Sequence, residues 1–190
     1  MTPKRLVVAI TGASGSVYAI SALRHLVSHY HQIYVIASDN ARGIMRDELG
    51  SDDIPALVGM PDNLTMLDNS DLAAPPSSGS HQYDGMVIVP CSMGTVGRVA
   101  AGVSQDLISR VADVCLKEKR KLILVPREAP LSVIHLENLL ELAQAGATVI
   151  PASPPFYHKP KSIDDLVSAI TARILSQLGI EQDLMQEWNG

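Results

Sequence analysis

The chain has 190 residues, of which 46% are hydrophobic and 18% are charged, and its formal net charge is −5. This length is that of one ordinary domain, and the composition excludes intrinsic disorder. The negative balance argues against a general binder of nucleic acids or anionic membranes, because both require clustered positive charge. Aromatic residues make up only 4% of the chain, so we expect an aliphatic core and a surface that is partly buried in an oligomer.

The cysteine content and the apolar runs exclude several further classes. Cys91 and Cys115 are the only cysteines, too few for a disulfide framework, and neither belongs to a zinc-binding pattern. The first apolar run is about six residues long, too short for a secretory signal, and no run approaches the roughly 18 residues that span a bilayer. Histidines at metal-ligand spacing and a D-D-x-x-D motif are also missing. We therefore expect a cytoplasmic protein without a metal site.

Short aliphatic runs predict five strands, and the amphipathic segments between them predict helices. The strands are expected at 6–10, 33–37, 86–89, 122–125 and 148–150, with helices ending near 29 and 49 and further helices at 93–102, 105–119, 132–146 and 162–179. Residues 50–84 contain several prolines and serines and are expected to be the least regular part, with some loop. Continuous apolar strands alternating with helices predict a parallel sheet covered on both faces. The chain is expected to be a single α/β domain over residues 1–190.

Four of the predicted strands end in loops unlike ordinary turns. They are Thr-Gly-Ala-Ser-Gly at 11–15, Pro-Cys-Ser-Met-Gly-Thr at 90–95, Pro-Arg-Glu-Ala-Pro at 126–130 and Pro-Ala-Ser-Pro-Pro-Phe-Tyr at 151–157. In open α/β sheets, ligands bind beyond the carboxyl ends of the strands. We expect the functional site at this edge of the sheet.

The first of these loops, Gly12-Ala13-Ser14-Gly15, has the spacing G-x-x-G. A strand precedes it and a helix follows it, so backbone amides and a helix N-terminus can hold a phosphate there, although a plain tight turn is the alternative. The dinucleotide fingerprint G-x-G-x-x-G is not present, and the second strand ends in Ser38-Asp39. This combination disfavours NAD and favours a mononucleotide such as FMN.

The loops at 90–95 and 126–130 add hydroxyls, a cation and a carboxylate. Ser92 is expected either to bind a ligand or to cap the following helix. Glu128 is a candidate general acid or base beside Arg127, and a surface ion pair between the two is the alternative.

Three further cations are placed by helical spacing. Arg173 is predicted on the apolar face of the last helix, where an anion partner is expected because a guanidinium is rarely left unpaired there. That face is formed by Ile163, Leu166, Val167, Ile170 and Ile174. Arg110 and Lys117 share one stripe with Val114, away from the main apolar face of their helix, and face either solvent or a neighbouring subunit's site.

In these motifs, the sequence resembles the UbiX-type flavin prenyltransferases, a flavoprotein family that includes proteins described as phenylacrylic acid decarboxylases. The resemblance covers nearly the whole chain, from Thr11-Gly12-Ala13-Ser14-Gly15 to Trp188. Its most specific stretches are 110–131, Ile134-His-Leu-Glu-Asn, Phe156-Tyr157-His158-Lys159-Pro160 and Asp164-Asp165-Leu166-Val167. It implies a single-domain, three-layer αβα Rossmann-like (flavodoxin-like) fold with a mainly parallel sheet.

The resemblance also implies a reaction. Reduced FMN and dimethylallyl monophosphate would be the substrates, and prenylated FMN, the product, would be passed to a UbiD-type decarboxylase. No metal would be required. The enzyme would be a homo-oligomer, a dodecamer by this resemblance, with sites at subunit interfaces.

By the same resemblance, FMN would be held by Gly12, Ala13, Ser14, Ser38, Ser92, Met93, Gly94, Thr95 and Arg127. Tyr157 and Arg173 would bind the prenyl phosphate, close to Glu48. Arg110 and Lys117 would reach it from an adjacent subunit. Ser14 and Glu128 would move protons, and Trp188, in a C-terminal tail of about 180–190, would help to close the site. Asp39 departs from the family, which usually has Lys there.

Two alternative functions are compatible with parts of the sequence. FMN-dependent cysteinyl decarboxylases share a related fold, but they carry a His early in the first helix, where this chain has Ser16-Val17-Tyr18-Ala19. A non-catalytic FMN-binding protein would need neither Arg173, Lys117 nor Glu128.

Overall fold

The computed structural model describes residues 4–185, which form one sheet flanked by helices. The strands of the described part are β1 (Arg5–Ile10), β2 (Gln32–Ala37), β3 (Leu64–Leu67), β4 (Gly85–Cys91), β5 (Lys121–Pro126) and β6 (Thr148–Val149). The α-helices are α1 (Ser16–Leu26), α2 (Asp39–Leu49), α3 (Ile54–Val58), α4 (Met93–Ala100), α5 (Leu107–Lys117), α6 (Val133–Gln144) and α7 (Ile163–Leu178), with a short 3-10 helix at Pro75–Ser77.

The strand order is β3-β2-β1-β4-β5-β6, and every neighbouring pair is parallel. Val8 lies at the centre of the sheet, opposite Val35 on one side and Val87 on the other. The chain winds outward from β1 to β3 and then returns to β4, so the order reverses between β1 and β4. This reversal opens a crevice at the carboxyl ends of the two central strands, the usual ligand site of such sheets. The predicted α/β fold is confirmed.

The sheet buries a separate aliphatic layer on each face. Leu6, Val8 and Ile10 of β1 pack in the cluster that includes α1 and α7. Val7 and Ala9, which alternate with them, pack in the cluster that includes α4 and α5. Because successive side chains of a strand point to opposite faces, both sets can be apolar only in a sheet covered on both sides.

Serine caps fix where several helices begin, and they do so at the carboxyl edge of the sheet. Ser38, Ser92 and Ser132 each accept a hydrogen bond from a backbone N–H in the first turn of α2, α4 and α6. Ser162 and Asp165 form the capping box that the sequence predicts for α7. The N-termini of these helices therefore lie at one edge of the sheet.

The segment 50–84 is more regular than expected, and the prediction of five strands was wrong. It contains α3 and β3, and β3 pairs in parallel with β2 as an edge strand. The run Leu64–Leu67 escaped notice because it has only four residues, none of them fully buried. Among residues 4–185, no helix is both long and apolar enough to cross a membrane.

Candidate active site

Thr11 connects the ends of the two central strands at the crevice. Its hydroxyl donates to the carbonyl oxygen of Pro90 at 3.0 Å and accepts the backbone N–H of Ser92 at 2.7 Å. Thr11 is itself buried, so both bonds are shielded from water and hold the two loops in fixed positions. The Gly-rich turn after β1 and the hydroxyl-rich turn after β4 therefore form one surface.

Two glycines allow the first turn to lie close against its neighbours. A Cβ atom on Gly12 would stand 2.8 Å from the Cβ of Asn40, in the first turn of α2. Gly15 has a φ of 107° and precedes the first residue of α1, a conformation that favours glycine. Because neither glycine has a Cβ, the first residues of α1 and α2 can lie close to each other, beside Ser38.

The N-terminus of α1 holds a carboxylate. Glu48 accepts the backbone N–H of Gly15 at 3.0 Å and that of Ser16 at 2.8 Å. Partial burial by itself raises the pKa of the Glu48 carboxyl, but hydrogen bonds from Ser14, Ser16 and Gly15 outweigh that effect and hold the pKa below its usual value. This turn therefore stabilises an oxyanion, as a helix N-terminus does.

Arg127 ties the loop after β5 to the same turn. Its Nε donates to the backbone carbonyl of Ser14 at 3.1 Å. Tyr18 lies nearby, and burial raises the pKa of its phenol while the positive charge of Arg127 opposes that rise. Glu128 is exposed and accepts the N–H of Ala129 within its own loop at 3.1 Å. Within this chain, Ser14 is thus brought next to Glu48 and Arg127.

The turn after β4 presents a set of hydroxyls. Ser92 caps α4 through the N–H of Thr95 at 3.3 Å, so capping is confirmed as one of its tasks. Met93 and Thr95 are buried, whereas Gly94 is exposed. Arg98, which no sequence pattern marks as a site residue, donates from a terminal nitrogen to the Thr95 hydroxyl at 3.2 Å.

Tyr157 and Arg173 line one cavity of about 550 Å³ between the end of β6 and α7. Within the described residues Arg173 has neither a hydrogen bond nor an ion pair, and it is exposed beside buried Ile170. The Tyr157 ring meets the ring of His158 edge to face, with centroids 5.6 Å apart. The expected apolar face of α7 was partly wrong, because Ile163 is 74% exposed.

Arg110 and Lys117 lie apart from these residues and bond elsewhere. Arg110 donates to the carbonyl of Ser77 at 3.0 Å and pairs with Asp113 at 2.9 Å, while Lys117 pairs with Glu118. Val114, which the sequence places on the same stripe, is fully buried, whereas the side chains of Arg110 and Lys117 are 36% and 45% exposed, so the two cations face solvent and Val114 does not.

The remaining predicted residue, Trp188, lies outside the described part of the chain, whereas Met185, three residues before it, lines the cavity. In residues 4–185 no group of three or more His, Cys, Asp or Glu side chains is placed to hold a metal ion.

The donor set at this edge fits FMN. Backbone N–H groups at a helix N-terminus suit a phosphate, and here those of Gly15 and Ser16 are engaged by Glu48. The hydroxyls of Ser38 and Ser92 and the guanidinium of Arg127 suit the oxygen and nitrogen acceptors of a flavin ring. All of these groups stand around the crevice between β1 and β4.

The fold and the donors at its strand ends define a flavoprotein. The Flavoprotein family model matches residues 1–175. Within that class, the chain belongs to the UbiX family of flavin prenyltransferases. Flavin prenyltransferase UbiX of Alkalihalophilus pseudofirmus is 44% identical over 192 residues, which cover 97% of this chain and 96% of the relative.

Solved structures of similar proteins agree. AnUbiX (PadA1), in complex with FMN and dimethylallyl pyrophosphate, has a TM-score of 0.91 at 42% identity and covers 99% of this chain and 98% of its own. A dodecameric FMN-dependent UbiX-like decarboxylase from Escherichia coli O157:H7 has a TM-score of 0.89 at 39% identity, over 98% of this chain and 100% of its own. The predicted family and fold class are confirmed.

Proposed function

We propose that this protein transfers a dimethylallyl group from dimethylallyl monophosphate to reduced FMN and releases prenylated FMN. The observation that carries the proposal is the meeting of Ser14, Glu48 and Arg127 at the N-terminus of α1. A carboxylate held by backbone N–H groups and a neighbouring cation stand there, at the crevice where a flavin would bind. AnUbiX, a relative, was solved with FMN and a dimethylallyl diphosphate together, which supports this pair of substrates.

The cavity beside α7 can receive the phosphate end of the prenyl substrate. Arg173 is the single charged side chain that lines it within the described residues. Arg173 can pair with a phosphate group, and the phenol of Tyr157 can donate a hydrogen bond to it. Apolar neighbours such as Ile150 and Ile170 would surround the prenyl chain and exclude water from it.

In the proposed reaction the C–O bond between the prenyl carbon and phosphate breaks, and phosphate leaves with the electron pair. A nitrogen of reduced FMN would bond to that prenyl carbon and lose its proton. A ring carbon of the flavin would bond to the other end of the allyl group, whose double bond takes up a proton while the ring carbon gives up its own. Arg173 would stabilise the charge that develops on the leaving phosphate. Glu128 and Ser14 would move the proton that the flavin nitrogen gives up, with Glu48 holding the Ser14 turn in place.

A direct test is anaerobic incubation of the protein with reduced FMN and dimethylallyl monophosphate, followed by mass spectrometry of the released flavin. We expect a mass gain of one five-carbon prenyl unit. Arg173→Met should lose most of this product and bind FMN normally, while Arg46→Met, which removes an exposed arginine of α2, should keep full activity. Flavin of unchanged mass with the wild-type protein would overturn the proposal. Parallel incubations with a cysteinyl peptide and an aromatic acid test for decarboxylation.

Assembly with further copies of the chain is part of the proposal. Helix α6 buries only Leu142, whereas Val133, Ile134 and Leu140 are 69%, 67% and 58% exposed. An apolar surface of this kind marks an interface, and the Escherichia coli relative is dodecameric. Light scattering should give a homo-oligomer, a dodecamer by analogy, and Ile134→Glu combined with Leu140→Glu should reduce it. A wild-type monomer at micromolar concentration would contradict this part.

Assembly would also bring Arg110 and Lys117 of one copy to the phosphate site of another. The domain would span residues 1–190, with the tail from about 180 closing over the cavity that Met185 already lines.

In the cytoplasm, the product would pass to a UbiD-type decarboxylase. Adding the reaction mixture to such a decarboxylase freed of cofactor should restore its activity, and mixtures lacking either substrate should not.

A further inference from the structure

Arg98, on the second turn of α4, stands behind the hydroxyls of the turn after β4. Its terminal nitrogen donates to the Thr95 hydroxyl at 3.2 Å, and the same nitrogen lies 3.6 Å from the carboxylate of Asp106. Its other terminal nitrogen lies 3.9 Å from the point where a Cβ on Gly94 would be. Its Nε is buried and has no hydrogen-bond partner among the described residues.

The Thr95 hydroxyl has two partners within residues 4–185, Arg98 and the Ser92 hydroxyl at 3.0 Å. A guanidinium can only donate, and a hydroxyl has one hydrogen to give. Arg98 therefore fills one acceptor position of Thr95. Because Thr95 is only 1% exposed, its own hydrogen must find an acceptor inside the protein, and the oxygen of Ser92 is the acceptor available.

This arrangement determines the direction of the Ser92 hydroxyl. With Thr95 as the donor of the bond between the two hydroxyls, the Ser92 oxygen accepts that hydroxyl as well as the backbone N–H of Thr95 at 3.3 Å. Both acceptor positions of Ser92 are then occupied, and its hydrogen is left to donate outward. Ser92 is only partly buried, so this hydrogen is available to a ligand in the crevice. The backbone of Ser92 is held in place by Thr11 at 2.7 Å.

We propose that Arg98 is a positioning residue that makes Ser92 a hydrogen-bond donor to the flavin. The relay runs from Arg98 through Thr95 to Ser92, and each bond in it is polarised by the positive charge at its start. It rests on the proposed function, because the acceptor is an oxygen or nitrogen at the edge of the FMN ring. Reduced FMN is richer in electrons than oxidised FMN and is largely anionic at neutral pH, so the relay favours the reduced form.

The test is to measure the affinity of both redox states of FMN and the reduction potential of the bound flavin. Arg98→Met should weaken the binding of reduced FMN about tenfold more than that of oxidised FMN, which for a two-electron couple lowers the potential by about 30 mV. Arg98→Lys, which keeps a donor and the charge, should restore most of the difference. Arg5→Met is the control, since it removes an arginine at the opposite end of the central strand β1 and should leave the potential unchanged.

A double-mutant cycle separates the relay from a simple effect of charge. In a Ser92→Ala background, Arg98→Met should change the potential little further, because the donor that Arg98 orients is already gone. Thr95→Val, of nearly the same shape, should reproduce the effect of Arg98→Met even if the latter folds poorly. Additive effects of Arg98→Met and Ser92→Ala, or equal losses of both redox states, would overturn the relay. Failure of the wild-type protein to bind FMN would instead refute the proposed function.

Discussion

Arg127 and Ser14 are 113 positions apart in the chain, and the Nε of Arg127 donates to the carbonyl oxygen of Ser14 at 3.1 Å. This bond joins the loop after β5 to the turn after β1, although β4 lies between those two strands in the sheet. Through it, a cation is fixed above the crevice at the end of β4. The carbonyl that accepts the bond belongs to the turn whose N–H groups hold Glu48.

The first prediction concerns this bond. Arg127→Met should weaken FMN binding by roughly ten- to a hundredfold, the size expected for a lost hydrogen bond to a charged group. Arg127→Lys should recover only part of the loss, because an ammonium cannot both bond the Ser14 carbonyl and face the flavin with a planar donor set. Titration of FMN fluorescence measures both. Unchanged affinity in Arg127→Met would show that its only role is to hold the loop.

The second prediction concerns the close approach of Gly12 to Asn40. Gly12→Ala would place a Cβ 2.8 Å from the Cβ of Asn40, a contact that only a backbone shift can relieve. We expect a loss of about 1–3 kcal/mol in the free energy of unfolding, as for other overpacked sites, together with weaker FMN binding. Urea unfolding and flavin titration are the measurements.

Gly43 offers a matched control, because it lies on the same helix as Asn40. A Cβ there meets nothing within 4 Å, and Gly43 lies inside α2. Gly43→Ala should therefore stabilise the protein by about 0.5–1 kcal/mol, the usual gain for replacing glycine in a helix. Asn40→Gly should rescue Gly12→Ala. If Gly12→Ala and Gly43→Ala had the same effect, the steric explanation would be wrong.

Local signals were enough to predict much of the fold. The Ser162–Asp165 capping box marks the start of α7, because capping acts within a few residues. The end of β4 was predicted less well: the sequence places it at 89, before Pro90, whereas β4 continues through Pro90 to Cys91. The strand β3 was missed for the opposite reason: its residues are held by pairing with β2, a contact that a four-residue run does not reveal.

The candidate site shows the same division. The Gly12–Gly15 turn was predicted as an anion site from its place between a strand and a helix. The anchoring of Glu48 to that turn, from 33 residues away, had no signal in local spacing and came only from the family resemblance. Arg98 was missed because its importance depends on the hydroxyl of Thr95, whose burial is a property of the packed fold.

The third prediction concerns the two thiols. Cys91 and Cys115 are fully buried, and burial raises the pKa of each to about 12. Because the thiolate is the reactive form, neither should react with a thiol reagent in the native protein near pH 8. Unfolding in urea should release two reactive thiols per chain. Fast labelling of the native protein would contradict the burial of Cys91 at the end of β4.

The fourth prediction is a pH dependence that originates from Glu48. Since its folded-state pKa lies below the ordinary value of 4.5, the ionised carboxylate stabilises the folded protein. That contribution is complete above pH 4.5 and disappears as the pH falls through the folded pKa. At pH 7, Glu48→Gln should be less stable than the wild type by about 0.3–1 kcal/mol, the range for a charge at a helix N-terminus. The difference, measured by urea unfolding, should shrink towards pH 3. A gap that stays the same at both pH values would mean that the charge of Glu48 contributes nothing at this turn.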